Sequence, residues 1–411
     1  MFVIDAFGAQ WALDLTGLEE PLASSLRRLW SRARVTPSAT GTGIGDDVQP
    51  FVVARAPDGT VSLGEGVHRG SDDDLPYALS RALTMASLRR RAGRSLLLHA
   101  AGLALPDGST VALVGASGTG KTTASRALGR ALGYVSDETV AIDPDGRVRP
   151  WAKPLSVVVG PESRWEKHEH SPDELGLLRA PDVLHLSAVV VLFRDPGLAG
   201  PPVLEQIDLV TAIELVVPQS SSLLALERPL DRLATLLATG EGPWRLTYRE
   251  IEDCTDLIVE VAGTARARGA APEVEWVSSQ ELSVDQRSED MAETTGERAE
   301  GVTMSTVVRR SRHRDALTSE ARTIVLHPAA TTLLPGLASV LWEALDRPRT
   351  VAELVGDAEA TMGRHPQSDA MVLETVRDLA RARLVVSRVD TLDAAALDAS
   401  PDAEAVDNPV H

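Results

Sequence analysis

One stretch constrains this chain more than any other: TVALVGASGTGKTTASRALGRALG, residues 110–133. A β-branched apolar run, Thr110 to Val114, enters a glycine-rich turn, and the turn opens a helix near Lys121 with apolar positions at Ala124, Leu128 and Leu132. Gly115, Gly120, Lys121 and Thr122 satisfy the G-x-x-x-x-G-K-[ST] pattern in full. Gly115, Gly118 and Gly120 permit backbone conformations closed to other residues, so that successive N–H groups turn inward as an anion nest. The helix N-terminus adds partial positive charge at the same place. The pattern predicts a cradle for the triphosphate of ATP built from Gly115, Ala116, Ser117, Gly118, Thr119, Gly120, Lys121, Thr122 and Thr123. Lys121 then reaches the β- and γ-phosphates, and the Thr122 hydroxyl is a ligand for Mg²⁺. The chain has only three lysines (Lys121, Lys153 and Lys167), so one inside such a loop is hard to ascribe to chance.

The rest of the chain sets bounds. At 411 residues it exceeds one compact core, and a content of 43% apolar and 24% charged residues is ordinary for a globular protein. A net charge of -18 argues against nucleic-acid or anionic-membrane binding, although Arg309 to Arg314 (RRSRHR) is a short basic run. Cys254 stands alone, which leaves no disulfide and no cysteine-based metal cluster; it reads as a small buried apolar residue. The N-terminus shows no basic leader before an apolar core, and no run approaches bilayer length, so the expectation is a cytoplasmic protein.

Composition divides the chain into an accessory α+β region (1–98), a P-loop domain (99–268), an acidic flexible linker (269–305), a small domain (306–389) and a disordered acidic tail (390–411). Strands are expected at FVIDAF, QPFVVARA, SLLLHAAGLAL (95–105), STVALVGA (109–116), Glu138 to Ile142, Ser156 to Val159 and Leu186 to Phe193. Helices are expected at Leu22 to Trp30 and Leu75 to Arg91, and Pro106-Asp107-Gly108 makes a turn between two strands. The class is α/β.

A second carboxylate-bearing strand is needed beside a P-loop. AVVVLFRDPG (188–197) offers Asp195, but Asp137-Glu138, opening a strand just past the P-loop helix, is the closer candidate. The order LLLHAAGLAL, VALVGASGTGKTT, ALGYVSDETVAI resembles the HPr kinase/phosphorylase-related family. There a histidine-bearing strand precedes the P-loop and an acidic pair follows it. His99 stands at the histidine and Asp137-Glu138 at the pair, with Glu138 in place of a second Asp. The resemblance implies that Asp137 is the base for an acceptor hydroxyl, that His99 lies beside the phosphates and that Glu138 helps hold the metal. A carboxylate within reach of a γ-phosphate can orient the attacking oxygen and take its proton. The family's later Glu-Ile-Arg-Gly signature is not found, which counts against HPr itself as substrate and against the phosphorylase reaction but not against kinase activity. Lys153, in WAKPLSVVV, resembles a lysine-proline segment of such relatives, with a solvated loop lysine as the alternative. The cluster from Arg164 to Pro172, including His168 and His170, reads as an exposed loop rather than a metal site.

Residues 306–389 read as two strands, TVVRRS and ARTIVLH, helices at Ala338 to Leu345, Thr350 to Met362 and Asp369 to Ala382, and a final strand RLVVSR. Thr350 with Glu353 forms a capping box. The layout is winged-helix-like and resembles the PqqD-like domain of peptide-modifying (RiPP) pathways. The carrying residues are Val340-Leu341-Trp342 with Leu345, then Arg349-Thr350-Val351 with Glu353-Leu354, and L-A-R-A-R-L-V-V at 379–386. That resemblance implies capture of a precursor peptide's leader as an added strand, with other peptide-modifying enzymes as further partners. Together the two halves predict an ATP- and Mg²⁺-dependent kinase for a serine hydroxyl on a ribosomally made peptide. The alternatives are a kinase for another protein or small molecule, and a non-catalytic ATP sensor or chaperone.

Overall fold

The computed structural model describes residues 2–35, 47–158, 167–268, 275–279, 301–327 and 331–387. The chain is mixed α/β with several sheets, in two compact units, Met1–Glu275 and Trp276–His411. The expected tail at 390–411 lies outside the described residues, as does 280–300 of the expected linker.

The first unit is organised by a mixed seven-stranded sheet in the order Leu178–Arg179, Gly133–Ser136, Ala100–Ala104, Ser109–Val114, His185–Arg194, Trp244–Tyr248, Val203–Gln206. The P-loop strand Ser109–Val114 is central, antiparallel to Ala100–Ala104 and parallel to His185–Arg194. It is buried on both faces, which explains its near-continuous apolar run. The helices Lys121–Leu128 and Thr255–Arg268 contribute Ala124, Leu128, Ile258 and Val261 to a core shared with Ala188, Val190 and Leu192. Cys254 is fully buried in the same core.

A smaller sheet, in the order Val148–Arg149, Val140–Ile142, Leu96–Leu98, Ser220–Ser221, adjoins the large one in sequence. The run SLLLHAAGLAL is therefore two strands rather than one. Leu96–Leu98 pairs with Val140–Ile142 in the small sheet, and Ala100–Ala104 pairs with Gly133–Ser136 in the large one. The break falls at His99, whose N–H donates to Gln219 O at 2.6 Å instead of to either sheet.

The first 98 residues build a five-stranded sheet in chain order (Phe2–Ala6, Ala9–Gly17, Gln49–Arg55, Val61–Leu63, Gly66–His68) with helices Glu20–Leu29 and Leu75–Arg91. The division expected at residue 98 is crossed by one core: Phe7, Trp11, Leu79 and Leu83 cluster with Leu97, Ala141 and Trp151. Trp151 also donates its indole N–H to Thr84 Oγ1 at 3.0 Å and packs tilted on Phe7.

The second unit holds a four-stranded antiparallel sheet (Val277–Ser279, Asp315–Ser319, Arg322–Leu326, Thr331–Pro335) and a three-stranded one (Arg349–Thr350, Val307–Arg310, Val385–Ser387). Helices Leu337–Ala344, Val351–Met362 and Ser368–Arg381 complete it, about where the sequence pattern puts them. The capping box forms: Thr350 Oγ1 accepts from Glu353 N–H at 3.2 Å, and the Glu353 carboxylate accepts from Thr350 N–H at 2.7 Å. Two corrections follow. Asp315–Ser319 and Thr331–Pro335 add strands the pattern did not separate. Val277–Ser279, inside the expected flexible linker, pairs antiparallel with Asp315–Ser319. Val277 stays 68% exposed, so ladder hydrogen bonds rather than burial hold this segment, and composition does not register them.

Candidate active site

The P-loop leaves the end of its strand as expected. Gly118 and Gly120 have φ of 88° and 93°, left-handed values that favour glycine, and Gly120 caps the helix Lys121–Leu128. Gly115 is required for a different reason: its φ is not positive, but a Cβ there would sit 2.6 Å from Thr119 Oγ1. Ala116, Ser117 and Gly118 form the exposed tip, and Thr123 is exposed on the first helical turn. Tyr248, from the strand Trp244–Tyr248, donates its hydroxyl to Thr119 O at 2.7 Å and braces the loop from below.

Lys121 is folded back on its own loop. Its ammonium donates to Gly115 O at 2.6 Å and Ala116 O at 3.0 Å, carbonyls that a phosphate ligand would replace as partners. Burial holds the Lys121 ammonium below the usual lysine range, with the Glu138 charge opposing that shift.

Facing the loop are the two points where the chain passes between the sheets. His99 separates Leu96–Leu98 from Ala100–Ala104, and Asp137-Glu138-Thr139 separates Gly133–Ser136 from Val140–Ile142. Since those four strands pair two by two, the histidine and the acidic pair are brought opposite each other. Ser136 Oγ accepts from the N–H groups of Glu138 (3.4 Å) and Thr139 (3.2 Å), shaping the acidic turn. The His99 ring bonds the Glu138 backbone. Burial, then the Lys121 charge, pulls His99 below the usual histidine range against Glu138 and Asp137, which keeps the ring neutral at physiological pH.

Asp137 is buried, and its two oxygens have different surroundings. Oδ1 lies 2.9 Å from Lys153 Nζ and accepts from the Tyr134 hydroxyl at 3.1 Å. Oδ2 faces the P-loop, 3.4 Å from Thr122 Oγ1. Lys153 also lies 3.5 Å from Glu138 Oε2 and donates to Pro154 O at 3.2 Å. Lys153 is thus no solvated loop residue: its side chain is 4% exposed, on the buried segment anchored by Trp151. Burial alone would lower its ammonium, but Asp137, Glu138 and Glu169 outweigh that and hold it above the usual lysine range. Tyr134 is driven well above the usual tyrosine range by burial and then by Asp137, so it stays a phenol that donates.

The stretch expected as an exposed loop is corrected in part. Lys167–His170 is a strand paired with Leu155–Val158, and the half-buried Glu169 accepts from Ser156 Oγ and, at 3.3 Å, from Ser80 Oγ of the helix Leu75–Arg91. Arg164 and Glu166 lie outside the described residues. Asp195 follows the strand beside the P-loop, yet its Oδ1 accepts from Gly197 N–H at 2.8 Å in a local turn. Among the described residues no group of three or more His, Cys, Asp or Glu side chains could hold a metal alone. The Thr122 hydroxyl and the Glu138 carboxylate suit Mg²⁺ instead, an ion that keeps part of its shell for phosphate and water.

In the second unit the basic run turns inward. Arg310 stacks 5.0 Å from the Trp342 ring and donates to Trp342 O at 2.9 Å and 2.6 Å, while His313 and Arg314 are buried. Arg310 thus serves the end of the helix Leu337–Ala344, while Arg312 of the same run is exposed. Among the described residues no helix is long and apolar enough to cross a membrane.

Sequence reasoning brought Lys121, Thr122, His99, Asp137 and Glu138 to one place but missed Tyr134, Tyr248 and Glu169 as participants. Only Glu169 had a local signal, the alternation of Lys167 and Glu169 with His168 and His170. No protein-family model matches the chain, and no curated protein matches it. Among solved structures, the chain is similar to the Hpr(Ser) kinase/phosphatase from Coxiella burnetii, at 13% identity and a TM-score of 0.23, over 41% of this chain and 95% of that one. The site's residues stand on their own geometry.

Proposed function

We propose that the chain is a kinase that moves the γ-phosphoryl of ATP to a hydroxyl, most simply a serine, of a ribosomally made peptide. The observation that carries the phosphotransfer reading is the placement of Asp137 Oδ2, 3.4 Å from the hydroxyl of Thr122 on the P-loop. A carboxylate there accepts the proton of the acceptor hydroxyl as its oxygen bonds to the γ-phosphorus and ADP departs with the electron pair of the broken P–O bond. Lys121 exchanges the two loop carbonyls for phosphate oxygens, and the loop N–H groups stabilise charge on the transferring group. Mg²⁺, held through Thr122 and Glu138, would offset the charge of the phosphates when bound.

The peptide part of the proposal rests on the second unit. Its four-stranded sheet has Val277–Ser279 at one edge and Thr331–Pro335 at the other, and among the described residues the latter pairs on one side only. An extended leader adding there would gain main-chain hydrogen bonds.

The test is mass spectrometry of a precursor peptide from the same gene neighbourhood after incubation with Mg-ATP. The expected result is a gain of one phosphoryl group, abolished in Lys121→Ala. In Asp137→Asn the gain should fall by roughly 10²–10⁴-fold with ATP binding retained. ATP binding with no phosphoryl gain in the wild type would instead favour an ATP-gated peptide sensor.

A further inference from the structure

We propose that Lys153 and Tyr134 are positioning residues that occupy one oxygen of Asp137 and leave the other as the only atom of that carboxylate available to an acceptor. The proposal rests on the phosphotransfer reading above.

The donors and acceptors account for one another. An ammonium has three N–H donors, and Lys153 has three acceptors in reach: Asp137 Oδ1 at 2.9 Å, Pro154 O at 3.2 Å and Glu138 Oε2 at 3.5 Å. With those three contacts made, no donor is left for a phosphate. Lys153 therefore does not bind substrate as Lys121 does. Tyr134, fully inside the fold, has one O–H, which reaches Asp137 Oδ1 at 3.1 Å and the Lys153 carbonyl at 3.2 Å. Oδ1 thus receives two short contacts from buried donors. Oδ2 has one long contact, to a Thr122 hydroxyl that a nucleotide-bound metal would draw away.

Rotation of the Asp137 carboxylate is what this arrangement prevents. With Oδ1 pinned, the plane of the carboxylate is set and Oδ2 points across to the P-loop. Lys153 comes from an irregular segment that Trp151 N–H ties to Val135 O at 3.1 Å, so its own position is fixed by the strand that leads to Asp137. The charge matters as well. Two adjacent carboxylates repel, and one ammonium between them lets Asp137 and Glu138 stay close in a buried setting.

The experiment measures Mg-ATP turnover as ADP release, with water and then the precursor peptide as acceptor, in a double-mutant cycle with Asp137→Asn. Tyr134→Phe keeps the ring and removes only the hydroxyl, so it serves as the gentle variant should Lys153→Met fail to fold. In the Asp137 background, Tyr134→Phe should lower kcat roughly tenfold, and Lys153→Met roughly a hundredfold, with KM for ATP unchanged within about twofold. Lys153→Arg should restore part of the loss. In the Asp137→Asn background neither substitution should lower kcat further. Losses that multiply with Asp137→Asn, or a raised KM at constant kcat, would overturn the positioning role and leave phosphotransfer standing. Wild-type turnover in Asp137→Asn alone, or no ADP release with either acceptor, would overturn the phosphotransfer reading and this proposal with it.

Discussion

Two of the chain's three lysines are buried in the same site, and they are buried in opposite ways. Lys121 lies against carbonyl dipoles of its own loop, with no carboxylate in contact. Lys153 lies against Asp137 and Glu138, with Glu169 adding to the field. The first ammonium is pushed below its usual range by burial, and the second is held above it by the carboxylates in spite of burial. The difference separates a cation kept in reserve from a cation already spent. A charge whose contacts are dipoles gains by moving to a phosphate, whereas one in contact with full negative charges loses by moving anywhere.

Three substitutions bear on this contrast. Lys121→Met should reduce Mg-ATP turnover by roughly 10³-fold while costing only about 1 kcal/mol of stability, because it leaves two carbonyls beside an exposed loop tip that water can satisfy. A large loss of melting temperature would show that the loop depends on its lysine even when empty. Lys153→Met should reverse the pattern of stability, costing roughly 3–5 kcal/mol in denaturant unfolding, since it leaves a buried carboxylate uncompensated. A cost under about 1 kcal/mol would mean that the buried carboxylate does not depend on this ammonium, and the contrast would weaken. The smallest effect is expected at Glu169. Burial raises its carboxyl above the usual range, with Lys153 and the Ser156 hydrogen bond opposing. A pKa raised by folding gives stability that is complete below the unfolded value and is lost as pH rises through the folded value. Glu169→Gln should therefore stabilise the protein slightly at neutral pH and flatten the fall in melting temperature as pH rises above the ordinary carboxylate range. A lower melting temperature at neutral pH would place an ionised Glu169 inside the Lys153 lock.

How much of this could be read in the residues alone depends on how far each interaction reaches along the chain. The P-loop was legible because its chemistry is written in eight consecutive residues between a strand and a helix. His99 and Asp137-Glu138 were legible as a spaced set through family resemblance, but the sheet switch that brings them together was not, since an apolar run does not announce where it changes partner. The Lys153–Asp137 pair closes over a turn, two strands and an irregular segment, and no periodicity reports it. Tyr248 reaches Thr119 from a strand two positions across the sheet, a relation that exists only after folding. Other features were present and unread. Asp208 caps the helix Leu209–Val216 by accepting from Thr211 N–H, and Pro229 opens the helix Pro229–Leu237, both ordinary start signals. In the second unit, helix spacing and the Thr350 cap were enough for three helices, while the short strands around them depend on pairing with distant segments.

The shared core of the first 98 residues bears on how the protein can be cut. Leu97 and Ala141, on the two strands that lead into His99 and away from the acidic pair, bury their side chains among Phe7, Trp11 and Leu83. Trp151, which positions the Lys153 segment, does the same. The accessory region is thus the floor of the turns that carry His99 and Asp137. A fragment beginning at His99 would keep every residue of the phosphate cradle and lose the surface on which its acids are seated.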